Sequence, residues 1–156
     1  MTGALPGAAR WDERHRAREA ALRMLYQVHV GHVPIADALD LIEQPGDQEA
    51  VALDAPGRAF AARLAAGAWE SREALDAVVA PHLLNWRLER VAVIDRFVLW
   101  LAVHEWLSEP ATPPRVVLSE ALELARSYSG DAAVRFVNGV LDAVYHQLKQ
   151  EGRIID

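Results

Sequence analysis

The stretch Arg135-Phe136-Val137-Asn138-Gly139-Val140-Leu141-Asp142 lies in the last long helix that this 156-residue sequence predicts. Apolar residues around it recur at helical spacing and form one stripe, as in an amphipathic helix. The stripe consists of Ala133, Val137, Val140, Leu141, Val144 and Leu148. Ser129-Gly130-Asp131 marks the start of the helix, and Asp131 is expected to cap its first turn.

The side of this helix away from the stripe carries Arg135, Gly139 and Asp142, and Phe136 and Asn138 lie on the two flanks. A glycine inside a helix costs about 1 kcal/mol relative to alanine, so it usually has a packing or contact reason. This part of the helix could bind a planar, anionic ligand, because it combines an aromatic ring, an arginine, an amide and bare backbone. A core phenylalanine beside a solvated arginine is the other interpretation of the same pattern.

The charge of the chain is unevenly distributed. The formal net charge is −6, which on its own argues against nucleic acid as a partner. The first 30 residues nevertheless contain five arginines and three acidic residues, a net charge of +2, so the remainder carries −8. A basic N-terminal arm on an acidic body is typical of a protein whose arm binds an anion while its body binds a different partner.

Composition also excludes several classes of protein. The chain contains no cysteine, which excludes a disulfide framework and a thiolate zinc site. Its longest apolar run, from Phe97 to Val103, is too short to span a bilayer, and the N-terminus lacks the apolar segment of a signal peptide. A soluble cytoplasmic protein without a membrane partner is therefore expected.

The N-terminal half of the sequence predicts helices separated by turn signals. Residues 1–11 are expected to form a flexible segment. A first helix is predicted for residues 12–31, and a short second helix opens at Pro34. The apolar stripe of the first helix comprises Ala17, Ala20, Ala21, Met24, Leu25 and Val28. Tyr26 is predicted to point the other way, either as a stacking platform or packed on a neighbouring helix. Residues 44–57 combine prolines, glycines and acidic residues and predict a loop.

The C-terminal half continues the helical pattern. A third long helix, with Phe60 and Leu64 in its apolar stripe, is predicted from about Arg58 until Pro81 interrupts it. Residues 91–103 are apolar almost all round, which indicates a helix buried at the centre of the fold. One more amphipathic helix runs to Tyr128 before the final one. The fold class is therefore expected to be all-α.

No catalytic motif is present: the sequence has no glycine-rich phosphate loop, no nucleophile elbow and no zinc-protease motif. His29 and His32 are three residues apart, but no third ligand lies near them in sequence, whereas catalytic zinc needs three. A metal-dependent enzyme is therefore the weaker hypothesis, and no catalytic residue, metal or cofactor is expected.

Three blocks of the chain together resemble the family of the transcription antitermination factor NusB, and the likeness extends from about Arg14 to Tyr145. The blocks are Arg14-His15-Arg16-Ala17-Arg18-Glu19, then Trp86-Arg87-Leu88-Glu89-Arg90 with Ile94-Asp95-Arg96, and finally Phe136-Val137-Asn138-Gly139-Val140-Leu141-Asp142. The last block is the most specific.

The resemblance implies a compact fold of about seven helices and no enzymatic activity. It implies one domain, residues 12–156, with subdomains at about 12–84 and 85–150. It further implies that the chain binds boxA RNA together with NusE, the ribosomal small-subunit protein, in an RNA polymerase antitermination complex that keeps transcription of rRNA operons processive. A homodimer is a further candidate assembly.

The resemblance also assigns site residues. Asp95 would contact NusE. The RNA surface would comprise Arg14, Arg16, Arg18, Tyr26, His82, Tyr128, Arg135, Phe136 and Asn138. The chain departs from the family where many members have Glu-Asp-Ser, since it has Asp131-Ala132-Ala133 there. A helical protein–protein adaptor that has lost RNA recognition is the alternative function.

Overall fold

The computed structural model describes residues 6–44, 52–84 and 87–154, with side chains from residue 13 onward. These residues contain α-helices and two short 3-10 helices, Ala80–His82 and Leu88–Arg90, and no strand. The α-helices are α1 (Pro6–Gly31), α2 (Ile35–Ile42), α3 (Ala55–Glu70), α4 (Arg72–Val79), α5 (Val93–Ser108), α6 (Pro114–Ser129) and α7 (Asp131–Gln150). The predicted all-α fold of about seven helices is confirmed.

The chain divides into two compact units, unit 1 (Met1–Ala66) and unit 2 (Gly67–Asp156). The division falls inside α3, upstream of the subdomain boundary expected near residues 84 and 85, which stays a prediction.

In unit 1, α1 packs against α2 along the predicted apolar stripe of α1. The stripe residues Ala17, Ala20, Ala21, Met24, Leu25 and Val28 are all buried. The helix begins at Pro6, earlier than expected, and proline suits a first helical turn because it has no N–H to leave unpaired. Residues 1–5 of the expected flexible segment lie outside the described residues, as do residues 45–51 of the predicted loop.

The helix predicted from Arg58 to Pro81 is two helices, so that prediction was wrong in one respect. Ser71 separates α3 from α4, and its ψ of 7° departs from helical geometry. The side chain of Arg72 caps the break by donating to the carbonyl oxygen of Trp69 at 2.7 Å. The start of α3 lies three residues earlier than predicted because Asp54 accepts a hydrogen bond from the Gly57 N–H at 2.7 Å.

In unit 2, α5 is buried as predicted and packs against α4, α6 and α7. A polar cluster ties its first turns to α4. The carboxylate of Asp76 accepts hydrogen bonds from Arg96 Nη2 and from Trp100 Nε1, both at 2.6 Å. Among the described residues, no helix is both long and apolar enough to cross a bilayer.

The other end of α5 lies close to the last turn of α3. A Cβ atom added at Gly67 would overlap the imidazole ring of His104, so only glycine leaves room for this ring. Burial lowers the pKa of His104, although Glu109, Glu105 and Glu70 act in the opposite direction. His104 therefore packs against α3 at this end of α5.

Candidate nucleic-acid interface

The two sides of α7 differ as the sequence predicted. All six residues of its apolar stripe are buried, whereas Arg135, Asn138, Gly139 and Asp142 are exposed. Phe136 is half-buried, as its flank position implies. The expected cap by Asp131 was wrong: Asp131 is the first residue of the helix, Gly130 precedes it with φ of 97°, and no side chain caps this end.

The bare backbone at Gly139 remains accessible. No atom of the described residues outside the local helix lies within 4 Å of the position that a Cβ would occupy there. Packing in the described structure therefore gives no reason for this glycine, although alanine would be the better helix former.

Phe136 borders a groove of about 480 Å³ in unit 2 that Asp95 also lines. The groove is lined by Arg90, Val91, Ala92, Asp95, Ser129, Ala132, Ala133 and Phe136. Asp95 is only 9% exposed, and no described residue donates a hydrogen bond to its buried Oδ1. The groove thus brings together a candidate RNA residue and the candidate NusE residue, which sequence spacing alone did not predict.

His82 and Tyr128 are both half-buried in unit 2. The Nε2 atom of His82 lies 2.5 Å from Oε1 of Gln147 on α7. Tyr128 lies in the last turn of α6, and α6 packs against α7.

The arginine arm of unit 1 divides into two kinds of side chain. Arg16 is exposed and pairs with Glu13 at 2.9 Å. Arg14 is half-buried, with its guanidinium carbon 3.9 Å from the centre of the Phe60 ring. Arg18 is only 4% exposed and lies 5.4 Å from the same ring centre. This burial favours a packing role for Arg18, because a covered guanidinium cannot reach a phosphate without moving.

Tyr26 points outward, as its wheel position predicted, and is 44% exposed. The alternative that it packs on a neighbouring helix does not fit that exposure. A ring of this kind is available as a stacking platform.

Sequence reasoning missed two residues that organise these surfaces. Phe60 was predicted as part of an apolar stripe, without the arginines that surround it. Nothing in the sequence pattern singled out Gln147, because its contact with His82 joins residues 65 positions apart.

The hypothesis of a metal site at His29 and His32 gains no support. The described residues contain no group of three metal-ligating side chains, and His29 and His32 are exposed.

The sequence family was identified by comparison with known proteins. The model of the NusB family matches residues 15–146 of the chain. This chain belongs to the NusB family. The transcription antitermination protein NusB of Sorangium cellulosum is 40% identical over 142 residues, which cover 90% of this chain and 96% of that protein. The protein of the same name from Bacillus pumilus is 36% identical and covers 89% of this chain and 99% of its own length.

Solved structures agree with this assignment. T. maritima NusB has a TM-score of 0.74 at 31% identity, covering 84% of this chain and 89% of that one. A structure of the antitermination factors NusB and NusE in complex with double-stranded RNA has a chain with a TM-score of 0.74. It covers 87% of this chain and 98% of its own length, and at 23% identity it supports the fold alone.

Proposed function

We propose that this chain is a cytoplasmic antitermination factor, and not an enzyme, that binds boxA-type RNA together with NusE. In this role it joins an RNA polymerase antitermination complex and keeps transcription of rRNA operons processive. Membership of the NusB family supports the proposal. The observation that carries it is the exposed face of α7, where Arg135, Phe136 and Asn138 lie beside the groove that contains Asp95.

The residues of unit 2 suit single-stranded RNA. Arg135 is exposed, and a guanidinium neutralises phosphate and forks onto its oxygens. The half-exposed rings of Phe136, His82 and Tyr128 can stack on splayed bases, and the amide of Asn138 can read a base edge. In unit 1, Arg16 and Tyr26 offer the same two kinds of contact, with Arg14 partly covered and Arg18 acting mainly through folding.

Asp95 is the proposed contact for NusE. Asp95 lines an open groove and carries a negative charge, so a basic partner seated in this groove gains from electrostatic complementarity with it. The net charge of −6 makes RNA binding by the chain alone unfavourable. A basic partner that covers this groove would offset this cost.

RNA binding by the full chain, alone and with NusE, tests the proposal with boxA RNA and a scrambled RNA of equal length. We expect tight, salt-dependent binding only with NusE and boxA RNA. Failure of the combined proteins to distinguish boxA from scrambled RNA would contradict the proposed function. Size-exclusion chromatography of the free chain tests the homodimer in the same experiment.

Asp95→Asn tests the partner contact. The change should weaken NusE binding by at least about tenfold, because a hydrogen bond to a charged group contributes about 1.5–3 kcal/mol. Folding stability should not fall, since the change removes a buried charge. Asp142→Asn is the matched control, because Asp142 is an exposed carboxylate of the same unit and should leave NusE binding unchanged.

A helical adaptor that binds NusE without recognising RNA is the second candidate. The packing of Arg14 and Arg18 against Phe60 favours it, because it removes part of the predicted basic arm from solvent. Tight NusE binding combined with equal affinity for boxA and scrambled RNA would identify this function.

A further inference from the structure

A second groove of unit 2 lies beside His82, on the C-terminal part of α7. Its volume is about 630 Å³. The lining residues are His82, Ala143, His146, Gln147, Lys149 and Gln150. All but one of these side chains are polar, and neither the family resemblance nor the sequence pattern assigned a role to those on α7.

A hydrogen-bond relay fixes the orientation of the His82 ring. Gln147 donates through Nε2 to Oε2 of Glu151 at 3.3 Å, and its Oε1 lies 2.5 Å from Nε2 of His82. The Glu151 carboxylate accepts only, so the amide nitrogen of Gln147 faces Glu151 and the amide oxygen faces His82.

The relay also determines the tautomer of His82. Because an amide oxygen accepts only, Nε2 of His82 carries the proton. In the neutral ring, Nδ1 is then an acceptor, and no described residue bonds to it. Two exposed carboxylates of the same region pair with other residues. Asp142 lies 3.5 Å from Nε2 of His146, and Glu151 lies 3.4 Å from Nη1 of Arg153.

We propose that this groove binds one nucleotide of the RNA, which donates a hydrogen bond to Nδ1 of His82. Gln147 is the positioning residue that presents this acceptor. The inference rests on the proposed RNA-binding function and adds a subsite to it. The donor is an N–H of a base edge or a ribose 2′-hydroxyl, both of which single-stranded RNA exposes. Lys149 lines the same groove and attracts the phosphate of the bound nucleotide.

Two variants of the full chain separate positioning from the general effect of a glutamine-to-leucine exchange. Gln147→Leu removes the acceptor for Nε2 of His82 at nearly constant size. Gln44→Leu makes the same exchange at an exposed residue of unit 1 that does not line this groove.

The first readout is the tautomer of His82 in the free protein, from long-range proton–nitrogen NMR at about pH 8, where an ordinary imidazole is neutral. We expect the Nε2–H form in the wild type and in Gln44→Leu, and a mixture of tautomers in Gln147→Leu. A wild-type ring protonated on Nδ1 would overturn the inference.

The second readout is affinity for boxA RNA in the presence of NusE. Gln147→Leu should weaken binding about 2- to 10-fold, the equivalent of one neutral hydrogen bond, and Gln44→Leu should not. A 2′-deoxy oligonucleotide of the same sequence distinguishes the donors: the effect of Gln147→Leu persists there for a base donor and disappears for a 2′-hydroxyl.

The two possible failures are distinguishable. Wild-type binding with unchanged affinity in Gln147→Leu overturns this inference alone. Absence of boxA binding by the wild type with NusE overturns the proposed function and the subsite together.

Discussion

Two phenylalanines of this chain lie beside arginines, and their surroundings are opposite in kind. Phe60 in unit 1 is 0% exposed, and the guanidinium carbons of Arg14, Arg18 and Arg63 lie 3.9, 5.4 and 5.5 Å from its ring centre. Phe136 in unit 2 is half-buried, follows the exposed Arg135, and borders an open groove. Arginines over a covered ring contribute to folding, whereas a half-exposed ring beside an exposed arginine stays accessible to a ligand.

The largest effect is expected at the covered ring. Phe60→Ala should lower the free energy of unfolding by about 3–5 kcal/mol, since it leaves a cavity and removes the surface on which the arginines pack. Chemical denaturation measures the loss, with the exposed Leu84→Ala as control. A loss below about 1 kcal/mol would contradict the burial of Phe60.

Phe136→Ala should affect binding more than folding. RNA affinity in the presence of NusE should fall by about 1–3 kcal/mol, the contribution of one stacked base. The loss of folding stability should be smaller than that of Phe60→Ala, because part of the ring is already in solvent. If unfolding is strongly affected and RNA affinity of the folded protein is intact, Phe136 belongs to the core and the comparison fails.

Arg16 and Arg18 sharpen the comparison within unit 1. Arg16→Ala should reduce the slope of log affinity against log salt by about 0.7, the effect of one phosphate contact on a single strand, with little change in stability. Arg18→Ala should instead destabilise the fold by about 1–2 kcal/mol through lost packing on Phe60. Equal salt slopes for Arg16→Ala and the wild type would remove Arg16 from the RNA surface.

The smallest effect is expected at Gly139. Gly139→Ala should stabilise the fold by about 0.5–1 kcal/mol, because the added Cβ meets no described atom and alanine favours the helix. RNA affinity should fall if the ligand approaches the bare backbone. A thermal melt and an RNA titration on this variant measure both quantities, and increased stability with unchanged affinity would show that the glycine serves no RNA contact.

The spacing of apolar residues was sufficient to predict the buried face of a single helix. The stripe of α7 was predicted residue for residue, because helical spacing alone determines which side chains share a face. The burial of the middle of α5 was also predicted, although Val93 and Ile94 are half-buried and Trp106, beyond the predicted run, is buried. The break at Ser71 was missed, since the apolar spacing continues across it. The cap of α3 by Asp54 was missed because the neighbouring Pro56 and Gly57 resemble a loop.

By itself, the sequence determined the all-α class, the apolar face of each long helix and the family. Only the tertiary structure decided which candidate residues are accessible: Arg18 is covered by packing on Phe60, and Phe136 shares a groove with Asp95. It also decided that Gln147 orients His82 across 65 positions of the chain. The physical reason is that helical periodicity places a side chain on a face, whereas exposure and hydrogen bonding depend on what another helix places opposite that face.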